Sequence, residues 1–160
     1  MQKNKNTHLP KVQGFTLIEI LLVIGIIAVL ATVVIVALDP AKRFADARNA
    51  RRLSDIESIL SATQQYIVDH KGVLPSGLDT TERQLGTASS GCALSGNCGV
   101  TVDACLDMSS DLAKYLKDVP YDPGDGTSST THYSIGANAN NIVTVTACDS
   151  TDSTIASVSR

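Results

Sequence analysis

The sequence predicts an α+β fold, a long N-terminal α-helix packed against a small C-terminal antiparallel β-sheet. Three observations predict it. From Gly14 to Leu38 the chain is apolar throughout, and the 24 residues after Gly14 hold one charge, Glu19. From Ala41 to Lys71 apolar residues recur at intervals of three and four, the period of a one-sided helix. Beyond Thr130 three short runs of strand-forming residues are separated by turn residues.

Bulk composition narrows the function. A chain of 160 residues is one domain by default. Its net charge of −3 argues against nucleic-acid binding driven by phosphate contacts. Residues 1–14 contain Lys3, Lys5 and Lys11 and no acid, so the 146 residues that follow carry −6. Trp is absent and only two Phe occur, so the core must be aliphatic and small. After Leu38 the chain is rich in Ser, Thr, Asp, Asn and Gly, the surface of a small domain in water.

The elements come in order along the chain. Residues 1–14 read as a basic leader held on the cytoplasmic side. Residues 15–38 form a helix; at about 1.5 Å per residue it spans roughly 36 Å, enough for a hydrocarbon core of about 30 Å. Asp39-Pro40 punctuates the chain. Either Asp39 caps a new helix with Pro40 at its first position, or Pro40 bends one continuous helix; the bent, continuous helix is the reading taken. Residues 39–72 are then its amphipathic continuation, with Leu53, Ile56, Ile59, Leu60, Thr63 and Ile67 on the apolar stripe and Gly72 as a left-handed stop before Pro75. Residues 73–160 must cover that stripe. They offer a Cys-bearing loop to residue 106, a short helix over 111–117 capped by Ser109 or Ser110, a turn at 121–126, and strands over 131–135, 141–147 and 154–158.

Glu19 is the residue that needs a reason. A charge in a membrane helix costs on the order of 2.5 to 3.5 kcal/mol near its middle. Three readings compete for the apolar stretch: a signal peptide cut after Ala31 in Val29-Leu30-Ala31, a permanent anchor, and a segment cut at Gly14 and then used for assembly. Only the third gives the carboxylate a partner. Cleavage after Gly14 frees an amine on Phe15, and that amine and Glu19, on one chain or on neighbours, neutralise each other. At an effective dielectric near 20 and 4 Å their attraction is about 4 kcal/mol before desolvation, so the pair selects register more than it adds stability.

Lys11-Val12-Gln13-Gly14-Phe15-Thr16-Leu17-Ile18-Glu19, in front of the apolar run, resembles the class III signal of type IV pilins and of the pseudopilins of type II secretion. Asp46-Ala47-Arg48 through Ser54-Asp55-Ile56, then Tyr66 and Gly72-Val73-Leu74-Pro75, is similar to the helix and helix exit of major pseudopilins and short pilins. The resemblance implies a pilin-like fold and a structural subunit, not an enzyme. It implies that a prepilin peptidase cuts between Gly14 and Phe15 and N-methylates Phe15, and that Glu19 docks the subunit during assembly. The implied partners are further copies of the chain, related minor pilins, an assembly ATPase and a platform protein. The subunit would sit as a single pass in the inner (cytoplasmic) membrane, then in an extracellular pilus or a periplasmic filament. Many members carry a proline where this chain has Val36; here the first proline after the cleavage site is Pro40.

Four Cys, at 92, 98, 105 and 148, read as two disulfides in an oxidising compartment. Three pairings are possible; Cys92–Cys98 with Cys105–Cys148 is the one expected, the second bond closing the longer loop. Asp122, Asp125, Asp149 and Asp152 lie on polar turns and suit calcium. Major pseudopilins often bind calcium in a C-terminal loop, and Asp122-Pro123 resembles the turn near it, so Asp122 and Asp125 are the expected ligands; otherwise these Asp simply favour turns. No other cofactor is expected. His8, His70 and His132 are scattered and no nucleophile or phosphate-binding motif accompanies them. Arg43, Arg48, Arg51 and Arg52 suit acidic groups on neighbouring subunits better than nucleic acid. The alternative function is a small binding domain, exported or anchored behind an ordinary signal.

Overall fold

The computed structural model describes residues 14–94, 98–149 and 156–160. The chain divides into two compact units, Met1–Ala41 and Lys42–Arg160. Apart from Gly14, the leader expected at 1–14 lies outside the described residues.

The first unit contains α1, Leu17–Leu38. Its 22 residues are apolar on every side and none is buried. At about 1.5 Å per residue it is roughly 33 Å long, enough to cross a bilayer. Its one hydroxyl is satisfied internally, Thr32 Oγ1 donating to the Ala28 carbonyl at 2.9 Å.

The helix is not continuous through residue 40, as the bent-helix reading expected. α1 stops at Leu38, Asp39 has φ 40° and ψ 75°, and α2 starts at Pro40. Proline explains this. Pro40 has no N–H to give the Val36 carbonyl, and its ring drives the preceding residue out of the helical region. Aspartate is among the few side chains that tolerate the left-handed region. Proline at a first helical position costs nothing, because that N–H is unbonded in any helix.

From Lys42 onward α2, Pro40–Asp69, belongs to the second unit, where it buries Arg52, Ile56, Ile59, Leu60, Ala62 and Thr63. The expected stripe is recovered from Ile56 onward, with Ile67 packed against the core at its edge. Leu53 departs from it, 43% exposed, because the buried place one residue earlier belongs to Arg52. The helix ends in a Schellman-type closure: the Gly72 N–H donates to the Ile67 carbonyl at 2.8 Å. Both Lys71 (φ 58°) and Gly72 (φ 90°) are left-handed, so the reversal is shared with the lysine.

The cover is a four-stranded antiparallel sheet in the order β1-β2-β3-β4. The strands are β1 (Arg83–Gln84), β2 (Tyr133–Ala137), β3 (Val143–Ala147) and β4 (Ala156–Ser159). A single turn, α3 (Ser109–Leu112), lies between β1 and β2. Alternation sends Tyr133, Ile135 and Ala137, and Val143, Val145 and Ala147, into one core with Ile56, Ile59 and Leu60. Each large aliphatic side chain in that core contributes about 1.5–3 kcal/mol of burial. β2 starts two residues later than expected because His132 has φ 62°. β3 does likewise because Asn141 (φ 59°) closes the turn that Asn138 holds, its Oδ1 accepting from the N–H of Asn140 and of Ile142 at 2.9 Å. The helix expected over 111–117 is shorter and begins earlier; Asp107, not a serine, holds its start by accepting from the Ser109 N–H at 2.9 Å. β1 is too short to leave a periodic signal.

The disulfides correct the expected connectivity. Cys92 pairs with Cys105, and Cys98 with Cys148, each with Cα atoms 5.2 Å apart. The loop folds back on itself before it is stapled. Leu94 faces Val100, and the Cys92 N–H donates to the Asp103 carbonyl at 2.9 Å, so Cys92 comes opposite Cys105 and away from Cys98. Cys98 instead lies beside Ser134 on β2, 3.3 Å from its hydroxyl, within reach of Cys148 just past β3.

Candidate functional site

The residues marked out for processing and assembly occupy the entry to α1. Gly14 to Thr16 are not helical, and Thr16 is extended (φ −79°, ψ 152°) as its N-cap. The Phe15 side chain is 84% exposed. Glu19, at the third helical position, turns back toward Thr16. Its Oε2 accepts from the Thr16 N–H and from the Thr16 hydroxyl, both at 2.8 Å, and the Glu19 N–H donates to Thr16 Oγ1 at 3.3 Å. This is a capping box. It satisfies helix-end donors and sets a negative charge at the positive end of the helix dipole.

Glu19 therefore has a partner inside its own chain that the sequence reading did not name: Thr16, and not only an amine freed on Phe15. The signal was present: Thr16-Leu17-Ile18-Glu19 has the spacing of a capping box before an apolar run. Thr16 was the residue missed. The arrangement leaves the Gly14–Phe15 bond outside the helix and keeps a carboxylate three positions into it.

The arginines are put to different uses. Arg52 is turned inward, its Nε 2.5 Å from Asp122 Oδ2 and its Nη2 3.1 Å from Asp122 Oδ1, and Nη1 donates to Asn49 at 2.8 Å. Arg52 is 2% and Asp122 1% exposed. The reading of Arg52 as a contact for a neighbour or for nucleic acid is thus overturned. Beside this pair the buried Tyr133 hydroxyl donates to Asp55 at 2.9 Å, and burial with that carboxylate raises the phenol well above its ordinary pKa. Arg51 lies 3.8 Å from Asp55 but stays exposed, as do Arg43 and Arg48.

Asp122 does not fit a calcium site. A cation, the Arg52 guanidinium, already covers both of its oxygens, and the Gly124 N–H donates to Oδ1 at 2.7 Å. Burial alone raises the Asp122 pKa; the bonds from Arg52, Gly124 and Asp125 outweigh it and hold the carboxyl below the usual range. Among the described residues no three His, Cys, Asp or Glu side chains gather as metal ligands. Asp149 is bonded to His132 Nδ1 at 2.5 Å, and Asp152 lies outside the described residues. His70 stacks on Tyr66, ring centres 3.9 Å apart, far along the chain from His132; His8 also lies outside the described residues.

Fold and N-terminal site together define an α+β chain that carries a membrane-length apolar helix in front of a disulfide-bonded domain. Residues 9–35 match the family model described as the prokaryotic N-terminal methylation motif. The chain bears the class III signal of type IV pilins and pseudopilins, and the motif supports a type IV pilin-like or pseudopilin precursor. Neither the curated proteins nor the solved structures yielded a match.

Proposed function

We propose that this chain is the precursor of a structural subunit of a type IV pilus or type II secretion pseudopilus-like filament. The observation that carries this reading is the methylation motif over residues 9–35, which runs into a helix with no buried residue of its own. In this reading residues 1–14 are a leader, cut off by a prepilin peptidase that also methylates Phe15. Residues 15–38 are the membrane helix and later the filament core, 39–72 the amphipathic helix, and 73–160 the domain that clothes the fibre.

The physics supports two uses of α1. A helix apolar on all sides is soluble in lipid, and equally soluble among copies of itself. Packing helix on helix with a constant rise is a heterologous contact that does not close, the geometry of a fibre. Glu19 begins in its box with Thr16 and, once Phe15 has a free amine, exchanges that partner for the amine of a neighbour. An assembly ATPase and a platform protein drive the transfer out of the inner membrane.

Mass spectrometry of the mature protein tests this. The expected N-terminus is Phe15 with one added methyl group. An N-terminus at Thr32 overturns the proposal in favour of an exported binding domain.

A further inference from the structure

The first three turns of the second unit differ in charge from the rest of that unit. Lys42, Arg43, Arg48 and Arg51 against Asp46 give residues 42–51 a net +3. Residues 53–160 hold five cations and thirteen carboxylates, a net −8. Arg52 does not belong to this surface, since Asp122 consumes it. Arg43 and Arg48 are exposed, and the Arg51 side chain is 63% exposed. Among them stands Phe44, 68% exposed, the one aromatic ring in this stretch. Phe44, Arg48 and Arg51 follow one another at i, i+4 and i+7, so they share one face of α2.

An exposed aromatic ring with guanidinium groups around it is the composition of a segment that lies in a membrane interface. The ring enters the boundary between headgroups and acyl chains, and the guanidinium groups take phosphate oxygens in pairs. Chain connection supplies the membrane. Phe44 follows Leu38, the end of the membrane-length helix, by six residues, which reach at most about 20 Å even when extended. Residues 1–14 hold three cations, whereas four besides the buried Arg52 lie in the 14 residues after Leu38. Cations on an exported flank work against export. Their presence there calls for a task on the far side.

We propose that Arg43, Phe44, Arg48 and Arg51 form a patch that docks the start of α2 on an anionic phospholipid leaflet while α1 is still in the bilayer. This rests on the membrane-anchored precursor proposed above. The patch holds the waiting subunit at the surface from which it is later drawn, and its lipid contacts must break when the subunit leaves. A lipid leaflet is favoured over the acidic face of a second copy because the leaflet is within reach in every copy and because it accommodates the Phe44 ring, which a charged protein face does not.

The chain has no Trp, so Phe44→Trp in the full-length protein places a single indole reporter in the patch. The protein is reconstituted in phosphatidylcholine vesicles with and without phosphatidylglycerol, with brominated acyl chains as quencher. The expected result is a blue shift and a several-fold stronger quenching of the indole with phosphatidylglycerol, lost in about 1 M salt. Adding Arg43→Gln, Arg48→Gln and Arg51→Gln removes it as well, each cation being worth about fivefold in surface partition. Equal quenching in both vesicles overturns the patch. A shift that appears only at high protein density and fades on dilution in lipid also overturns it, in favour of a second copy. If an alkaline wash strips the protein from the vesicles, the anchored reading falls and the patch with it; if the protein stays and the indole ignores phosphatidylglycerol, only the patch falls.

Discussion

Arg52 and Asp122 meet 70 residues apart in sequence and almost entirely out of water, the guanidinium bonded through two nitrogens to both carboxylate oxygens. The pair fastens α2 to the turn that precedes β2. Asp122 is tied on its other side to that turn, its N–H donating to the Thr131 carbonyl at 2.9 Å and its Oδ1 accepting from Gly124. Gly126 allows the close approach: a Cβ there would lie 2.4 Å from the Asp122 backbone nitrogen.

Breaking this pair from one side leaves the other charge buried and alone. Arg52→Ala or Asp122→Leu should each cost about 3–5 kcal/mol, whereas Arg52→Met with Asp122→Leu should recover most of that loss. Thermal unfolding of the detergent-solubilised chain measures it. A double variant as unstable as the singles would show that the pair does more than neutralise itself.

Acid should loosen the same joint. The Asp122 carboxyl is held below its usual range in the folded chain, and an unfolded Asp titrates near about 3.9. A lowered folded value adds stability that is complete above the unfolded pKa and is lost as pH falls through the folded one. Asp69, bonded by Lys114 and Tyr115, and Asp107, bonded by Ser109, act in the same sense. The melting temperature should therefore stay level down to about pH 5 and drop below about pH 4, with a shallower acid drop in Asp122→Asn. Equal slopes in both proteins would remove Asp122 from the explanation.

The two disulfides should differ in worth. They close loops with sequence separations of 13 and 50, and loop-closure entropy assigns them about 3 and about 4 kcal/mol. Cys98→Ser with Cys148→Ser should lower stability more than Cys92→Ser with Cys105→Ser. Peptide mapping without reduction should recover Cys92 linked to Cys105 and Cys98 to Cys148; a peptide joining Cys92 to Cys98 would contradict the fold of the loop.

Glu19 caps α1, and in the proposed function it also docks the subunit; substitution separates the two. Glu19→Gln keeps the capping acceptor and removes the charge; Glu19→Ala removes both. Cleavage after Gly14 should proceed in both variants, because the scissile bond lies outside the helix. Filament assembly should fail in both, because the neighbour's amine needs a charge. If Glu19→Gln assembles normally, the cap is the function and the ion pair is not.

The sequence by itself determined the features that depend on neighbours along the chain. The span of α1 follows from an unbroken apolar run, the stripe of α2 from its period, the hairpin after β2 from its Asn-rich turn. The N-terminal methylation motif is legible because it is written in consecutive residues. The features that only the tertiary structure decided depend on residues far apart. Arg52 looked like a surface cation because nothing near it announces Asp122. Asp122 looked like a metal ligand for the same reason. The disulfide pairing turned on how one loop folds back, which spacing does not encode. Asp39 lies between these cases: Pro40 removes a helical N–H locally, and only the folded backbone decided that the helix would stop and restart instead of bending through. Local propensity and period act within a few residues, whereas a buried charge or thiol finds its partner only when packing brings distant segments together.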